Sequence, residues 1–243
     1  MAPIQRERAA DGIEVLRLDR PAARNAMNSE LLAAVEAALS ELAADPSLRV
    51  LVFSTTDVRA LSAGADVRED LDVAGGVARM EAFARVYAAV EAFPLPTIAV
   101  CVGNVVGAGA ELAAGCDLRV GGDNLHLAWA GARLGVPVGP ARLAPLVGLA
   151  RAKELILTAR VLDQAAADAL GLLAAAVPAA EAEAAAVAIA ESMTGPVEGL
   201  RTLKRMFREL EGSQRRVAYE NELLVEFQAR GAGLPRRAAG DAP

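Results

Sequence analysis

The sequence holds one histidine, two cysteines and only 3% aromatic residues. A lone histidine, His126, excludes a histidine-rich metal centre, and no metal ligand set is expected. Cys101 and Cys116 stand in apolar surroundings without metal-ligand spacing. They read as small buried residues of a reducing compartment rather than a disulfide framework. No stripe of lysine and arginine interleaved with aromatics occurs. With a formal charge of -6 and a pI near 5.0, nucleic acid is an unlikely partner by composition. No apolar run reaches the roughly 18 residues of a membrane helix, and MAPIQRERAADG has no leader-like apolar core. The expectation is a soluble, cytoplasmic chain without a membrane partner.

What the sequence does have is apolar bulk, 54% of its 243 residues, much of it alanine. That is enough for one large core, or a core with a helical appendage. Ile13–Leu18 alternates as a strand does, and Asn28 or Ser29 can cap an amphipathic helix carrying Leu31, Leu32, Val35, Leu39 and Leu42. Arg49–Phe53 reads as a strand buried on both faces. Ser54–Val67 reads as a loop, with small residues that let a ligand approach the backbone. Asp70–Gly76 reads as a mobile polar stretch. A Met and aromatic stripe (Met80, Phe83, Tyr87, Phe93) marks a second helix and reads as core packing. Leu118–Val120 and Leu125–Ala128 read as short strands around Gly121–Asn124. From Pro140 onward the pattern is helical throughout. Arg201, Lys204, Arg205 and Arg208 read as a solvated helix face, with a phosphate-bearing ligand the less common alternative. The strand, helix, strand order of the first half argues for parallel pairing.

The chemistry concentrates in Thr97–Asp117, TIAVCVGNVVGAGAELAAGCD. A β-branched run passes through Gly103, Gly107 and Gly109 into a helix start. That geometry aims backbone N–H groups at an acceptor. Glu111 lies just inside the helix, placed for proton transfer or simply favoured by the helix dipole.

Several segments together resemble the crotonase family, also called the enoyl-CoA hydratase/isomerase family. They are RPAARNAMN (20–28), ALSAGADV (60–67), PTIAVCVGNVVGAGAELAAGCDLRV (96–120), RLAPLVGLARAKELILTAR (142–160) and DQAAADALGLLAAAVP (163–178). The combination is specific, although no single piece is. The resemblance implies an α/β fold, a spiral of ββα units in residues 1–195. A helical trimerisation region would follow at 196–230, with a disordered tail at 231–243. It implies an acyl-CoA substrate, with coenzyme A as part of the substrate and no separate cofactor, and a homotrimer or dimer of trimers. It places two oxyanion-stabilising N–H groups at Ala65 and Ala108 and the acid/base at Glu111. Arg24, Ala26, Ala63 and Asp66 fall where the family contacts CoA, Gly107 and Gly131 are further substrate-binding candidates, and Trp129 either fills the space beside Gly131 as packing or lines the acyl pocket.

The chain also departs from the family. The hydratases hold a water between two glutamates. The first maps onto Glu111, but the place of the second is taken by Gly131, and no Asp or Glu lies between Leu125 and Leu149. The glycine-rich run that follows is about three residues short. A two-carboxylate hydration therefore lacks its second partner. Isomerisation, decarboxylation, thioester hydrolysis and non-catalytic acyl-CoA binding stay open. Arg133 could steer an acidic acyl group or form a surface salt bridge.

Overall fold

A computed structural model describes residues 2–231, 233 and 234. The expected disordered tail at 231–243 lies mostly outside the described residues.

The chain opens with β1 (Ile4–Ala10) and β2 (Ile13–Leu18), then α1 (Ser29–Ala44). Three strand pairs follow: β3 (Val50–Thr55) with β4 (Ala60–Ser62) and α2 (Val73–Glu91), then β5 (Thr97–Cys101) with β6 (Asn104–Val106) and α3 (Ala108–Gly115). The third is β7 (Leu118–Gly122) with β8 (His126–Ala128), closed by α4 (Pro140–Thr158). After α5 (Gln164–Ala169) come β9 (Ala175–Val177), α6 (Ala182–Glu191), α7 (Val197–Glu211) and α8 (Ser213–Ala229).

The first strand of each pair joins a six-stranded sheet of order β1-β2-β3-β5-β7-β9, and the second joins a three-stranded sheet, β4-β6-β8. All the pairings are parallel except β1 with β2. Each ββα unit therefore advances both sheets by one strand, which makes the chain a spiral.

Strand periodicity builds two cores from the large sheet. Leu16, Leu18, Leu51 and Phe53 face α1, α2 and α3, whereas Val15, Val50, Val52, Ile98 and Val100 face the alanines of α6. The small residues of α6 are the reason it can lie close to that face. The caps follow local chemistry: Asn28 accepts from Leu31 N at the start of α1, and Asp72 accepts from Gly75 N at the start of α2. The latter corrects the mobile reading of 70–76, because Val73 to Gly76 already belong to α2.

One strand is new, and two further expectations change. Strand β1 is polar in sequence and forms because Arg6 and Arg8 both pair with the buried Glu14 of β2. β7 and β8 do not form a hairpin but enter different sheets. β9 interrupts the stretch expected to be helical and extends the large sheet beside β7.

Candidate active site

The ends of β4 and β6 lie side by side, and two glycines make the closeness possible. Gly64 has φ +109, and a Cβ on it would sit 3.1 Å from Val106 O. On Gly109, a Cβ would sit 2.5 Å from Ser62 O, so α3 can start against β4 only without a side chain there.

Met27 N donates to Gly64 O and Asp66 N donates to Met27 O. These two bonds bracket Ala65 and leave its own N–H directed away from Met27, with no acceptor among the described residues. Gly107 is the N-cap of α3 with φ 53, so Ala108 is the first helical residue and its N–H is one of the unpaired donors of a helix start. It too has no acceptor among the described residues. Both alanines lie on the wall of one cavity of about 190 Å³.

That wall is apolar. Ala63, Gly107, Ala130 and Gly131 contribute to it beside Phe83, Val136, Val138 and Leu224. No Asp or Glu among the described residues lines it. At Gly131, where the resemblance puts the second glutamate, a Cβ would meet Val138 Cγ1 at 2.9 Å and Val136 O at 3.0 Å. Val136 and Val138 occupy the volume that a side chain there would need.

Glu111 does not reach this wall. It is 1% exposed, one helical turn beyond Ala108. Arg142 Nη1 donates to Glu111 Oε2 at 3.1 Å and also pairs with Glu220 of α8. Arg142 Nη2 donates to Asn221 Oδ1 at 3.2 Å, and Glu220 Oε2 accepts from Ala141 N at 2.7 Å. Glu111 Oε1 has no partner among the described residues, and a Cβ on Gly139 would lie 3.2 Å from it. Burial pushes the Glu111 carboxyl up to about 8, opposed by Arg142 and reinforced by Glu220. Burial also works against the Arg142 cation, but Glu111 and Glu220 outweigh it and hold its pKa above the ordinary value.

The other sequence-derived candidates separate into two groups. Ala63, Ala65, Gly107, Ala108 and Gly131 come together on the cavity. Arg24, Ala26, Asp66 and Trp129 do not line it. Arg24 sits exposed in the left-handed region, its carbonyl accepting from Ala63 N. Ala26 is buried, its carbonyl bound by Arg20. Asp66 is tied by Arg20 and Arg68. Trp129 is packed in the main core, as the packing alternative has it, with its indole N–H unpartnered among the described residues. Arg133 donates to the carbonyls of Thr158 and Ala159 at the end of α4. His126 is exposed on β8. Lys204 is buried and pairs with Asp117 at 2.6 Å, so it is not part of a solvated face.

Sequence reasoning missed Arg142, Glu220 and Tyr87. Arg142 lay inside a matched motif without a stated role. Glu220 carries no local signal, because it meets Glu111 only through tertiary packing.

The alternation of strands between two sheets, each turn closed by a helix, defines a crotonase fold. A family profile described as enoyl-CoA hydratase/isomerase matches residues 8–231, and the chain belongs to that family. It is 35% identical over 186 residues to the probable enoyl-CoA hydratase echA8 of Mycobacterium tuberculosis, covering 74% of this chain and 72% of that one. The rat methylglutaconyl-CoA hydratase is 33% identical over 170 residues, covering 67% of this chain and 53% of the relative. Among solved structures, a probable enoyl-CoA hydratase from Mycobacterium smegmatis superposes with a TM-score of 0.82 at 26% identity, covering 93% of this chain and 94% of that one. No helix among the described residues is long and apolar enough to cross a membrane.

Proposed function

We propose that this family member polarises the carbonyl of an acyl-CoA thioester with the N–H groups of Ala65 and Ala108. The observation that carries the reading is the pair of unpaired amides on the wall of one apolar cavity. Negative charge grows on the thioester oxygen as an enolate or tetrahedral species forms. Fixed dipoles already aimed there need no reorganisation.

Glu111 is the proposed general acid and base, acting without a second carboxylate. It does not line the cavity, and its Oε1 lies 3.2 Å from where a Cβ on Gly139 would sit. Reaching substrate requires a rearrangement that opens Glu111 to the cavity. The Glu111→Gln variant is expected to lose about 10²–10⁴ in kcat while its affinity for acyl-CoA stays within about twofold. Unchanged turnover would remove Glu111 from the chemistry. The same variant has a stability signature. Between the unfolded carboxyl's value and about 8, the native state keeps a proton that the unfolded chain releases. Stability therefore falls as pH rises through that window, by up to about 1.4 kcal/mol per pH unit for one proton. Glu111→Gln should flatten that slope.

The absence of any carboxylate among the described residues of the wall favours a second reading, in which the amide pair serves decarboxylation, thioester hydrolysis or binding without turnover.

The proposed assembly is a homotrimer or dimer of trimers. Leu203, Met206, Phe207 and Leu210 form one exposed face of α7, at the three-and-four spacing of a contact stripe. Light scattering after size exclusion should give three or six copies, and a monomer would refute it. Two buried free thiols support a reducing, cytoplasmic location.

A further inference from the structure

Among the described residues, the acyl cavity has one side chain able to form a strong hydrogen bond, Tyr87 of α2. Every other lining side chain is aliphatic, phenyl or thioether, or is absent at glycine. The Tyr87 ring is fixed on two sides. Phe83 packs at 5.7 Å between centroids, and the Arg142 guanidinium lies 4.3 Å from its ring centre. The hydroxyl has no partner among the described residues, and it is not among the fully enclosed unpaired atoms. The cavity that Tyr87 lines is thus the space left for its hydrogen bond.

Resting on the acyl-CoA reading, we propose that Tyr87 selects the acyl group by donating its hydroxyl hydrogen to an uncharged oxygen, a ketone or hydroxyl, carried beyond the thioester carbonyl. An acyl chain that is purely hydrocarbon would strip water from the phenol and offer nothing in return, which penalises binding. A carboxylate on the chain would meet no cation among the described residues of the wall and would be buried unpaired there. An uncharged acceptor avoids both losses. Burial, reinforced by the nearby Glu111, keeps the phenol well above its ordinary pKa, so it stays a donor. The cavity volume of about 190 Å³ suits a short or ring-sized group, since an apolar cavity of about 150 Å³ accepts benzene.

Tyr87→Phe keeps the ring, its stacking on Phe83 and its face to Arg142, and removes only the hydroxyl. The probes are butyryl-CoA, acetoacetyl-CoA and malonyl-CoA, with affinities measured by titration calorimetry on the full chain. The native protein should bind acetoacetyl-CoA about tenfold or more tighter than either of the others. In Tyr87→Phe the preference over butyryl-CoA should shrink to within about twofold. A tyrosine difference spectrum, native minus variant, should shift when acetoacetyl-CoA binds and stay still with butyryl-CoA. The same preference in both proteins, or tightest binding of malonyl-CoA, overturns the assignment. If none of the three thioesters binds the native chain, the acyl-CoA reading itself falls, and the role of Tyr87 with it.

Discussion

Ala108→Pro is expected to lower kcat on a turned-over acyl-CoA thioester by about 10²–10³-fold, with little change in melting temperature. A backbone donor cannot normally be deleted alone, because most substitutions keep the N–H. Ala108 is an exception by position. It is the first residue of α3, where proline's fixed φ is acceptable and the missing N–H has no helical acceptor to lose. Proline there deletes one of the two donors and spares the helix ladder, which begins with Glu111 N donating to Gly107 O at 2.9 Å. The loss of one oxyanion donor typically costs roughly 3–4 kcal/mol of transition-state stabilisation. A variant that is folded, binds acyl-CoA and turns over at the native rate would exclude Ala108 from the chemistry. The change adds no charge and leaves Glu111 and Tyr87 in place, so the two amides are tested separately from the proton donors.

Arg142→Met carries the largest expected effect on stability, a loss of about 3–5 kcal/mol. Arg142 is buried and faces two buried carboxyl groups, Glu111 and Glu220, with Asn221 satisfying a third direction. Removing the one cation leaves two acids facing each other in a medium that disfavours charge. Glu111, already pushed up by burial, then loses its opposing cation, so the variant should regain stability toward low pH more steeply than the native chain. Combining Arg142→Met with Glu111→Gln and Glu220→Gln should recover much of the loss, because no buried charge is then left over. Urea midpoints of the three proteins at pH 5 and pH 8 measure both effects. A single variant as stable as the native chain at pH 8 would show that this cluster is not the ionic junction of α3, α4 and α8. For a domain whose net stability is in the ordinary range of about 5–15 kcal/mol, the single change removes a large share.

These two variants bear on different layers of what the sequence made legible. The spiral was readable because its signals are local or motif-borne. The alternation of Ile13–Leu18, the apolar run Arg49–Phe53, the Asn28 cap and the glycines before α3 each fix a short stretch. Strand β1 was not readable, because its stability comes from Glu14 across the sheet and not from apolar alternation. The same holds for β9, a three-residue strand among alanines that neighbouring β7 recruits. At the site, Ala65 and Ala108 followed from motifs, since backbone donors depend on turn geometry that glycine spacing encodes. The surroundings of Glu111 did not follow. Arg142 is 31 residues away and Glu220 a further 78, and only packing of α3, α4 and α8 unites them. Nor could the sequence show that Val136 and Val138 fill the space beside Gly131, because that depends on how a shortened run folds back.

The central claim is that two backbone amides grip a thioester oxygen. The carbonyl stretching band of a bound acyl-CoA, followed by infrared difference spectroscopy with a ¹³C-labelled thioester, reports on that grip without requiring turnover. The native protein should shift the band to lower frequency on binding, and Ala108→Pro should shift it less. A bound thioester whose carbonyl band stays where it is in water, in both proteins, would contradict the account.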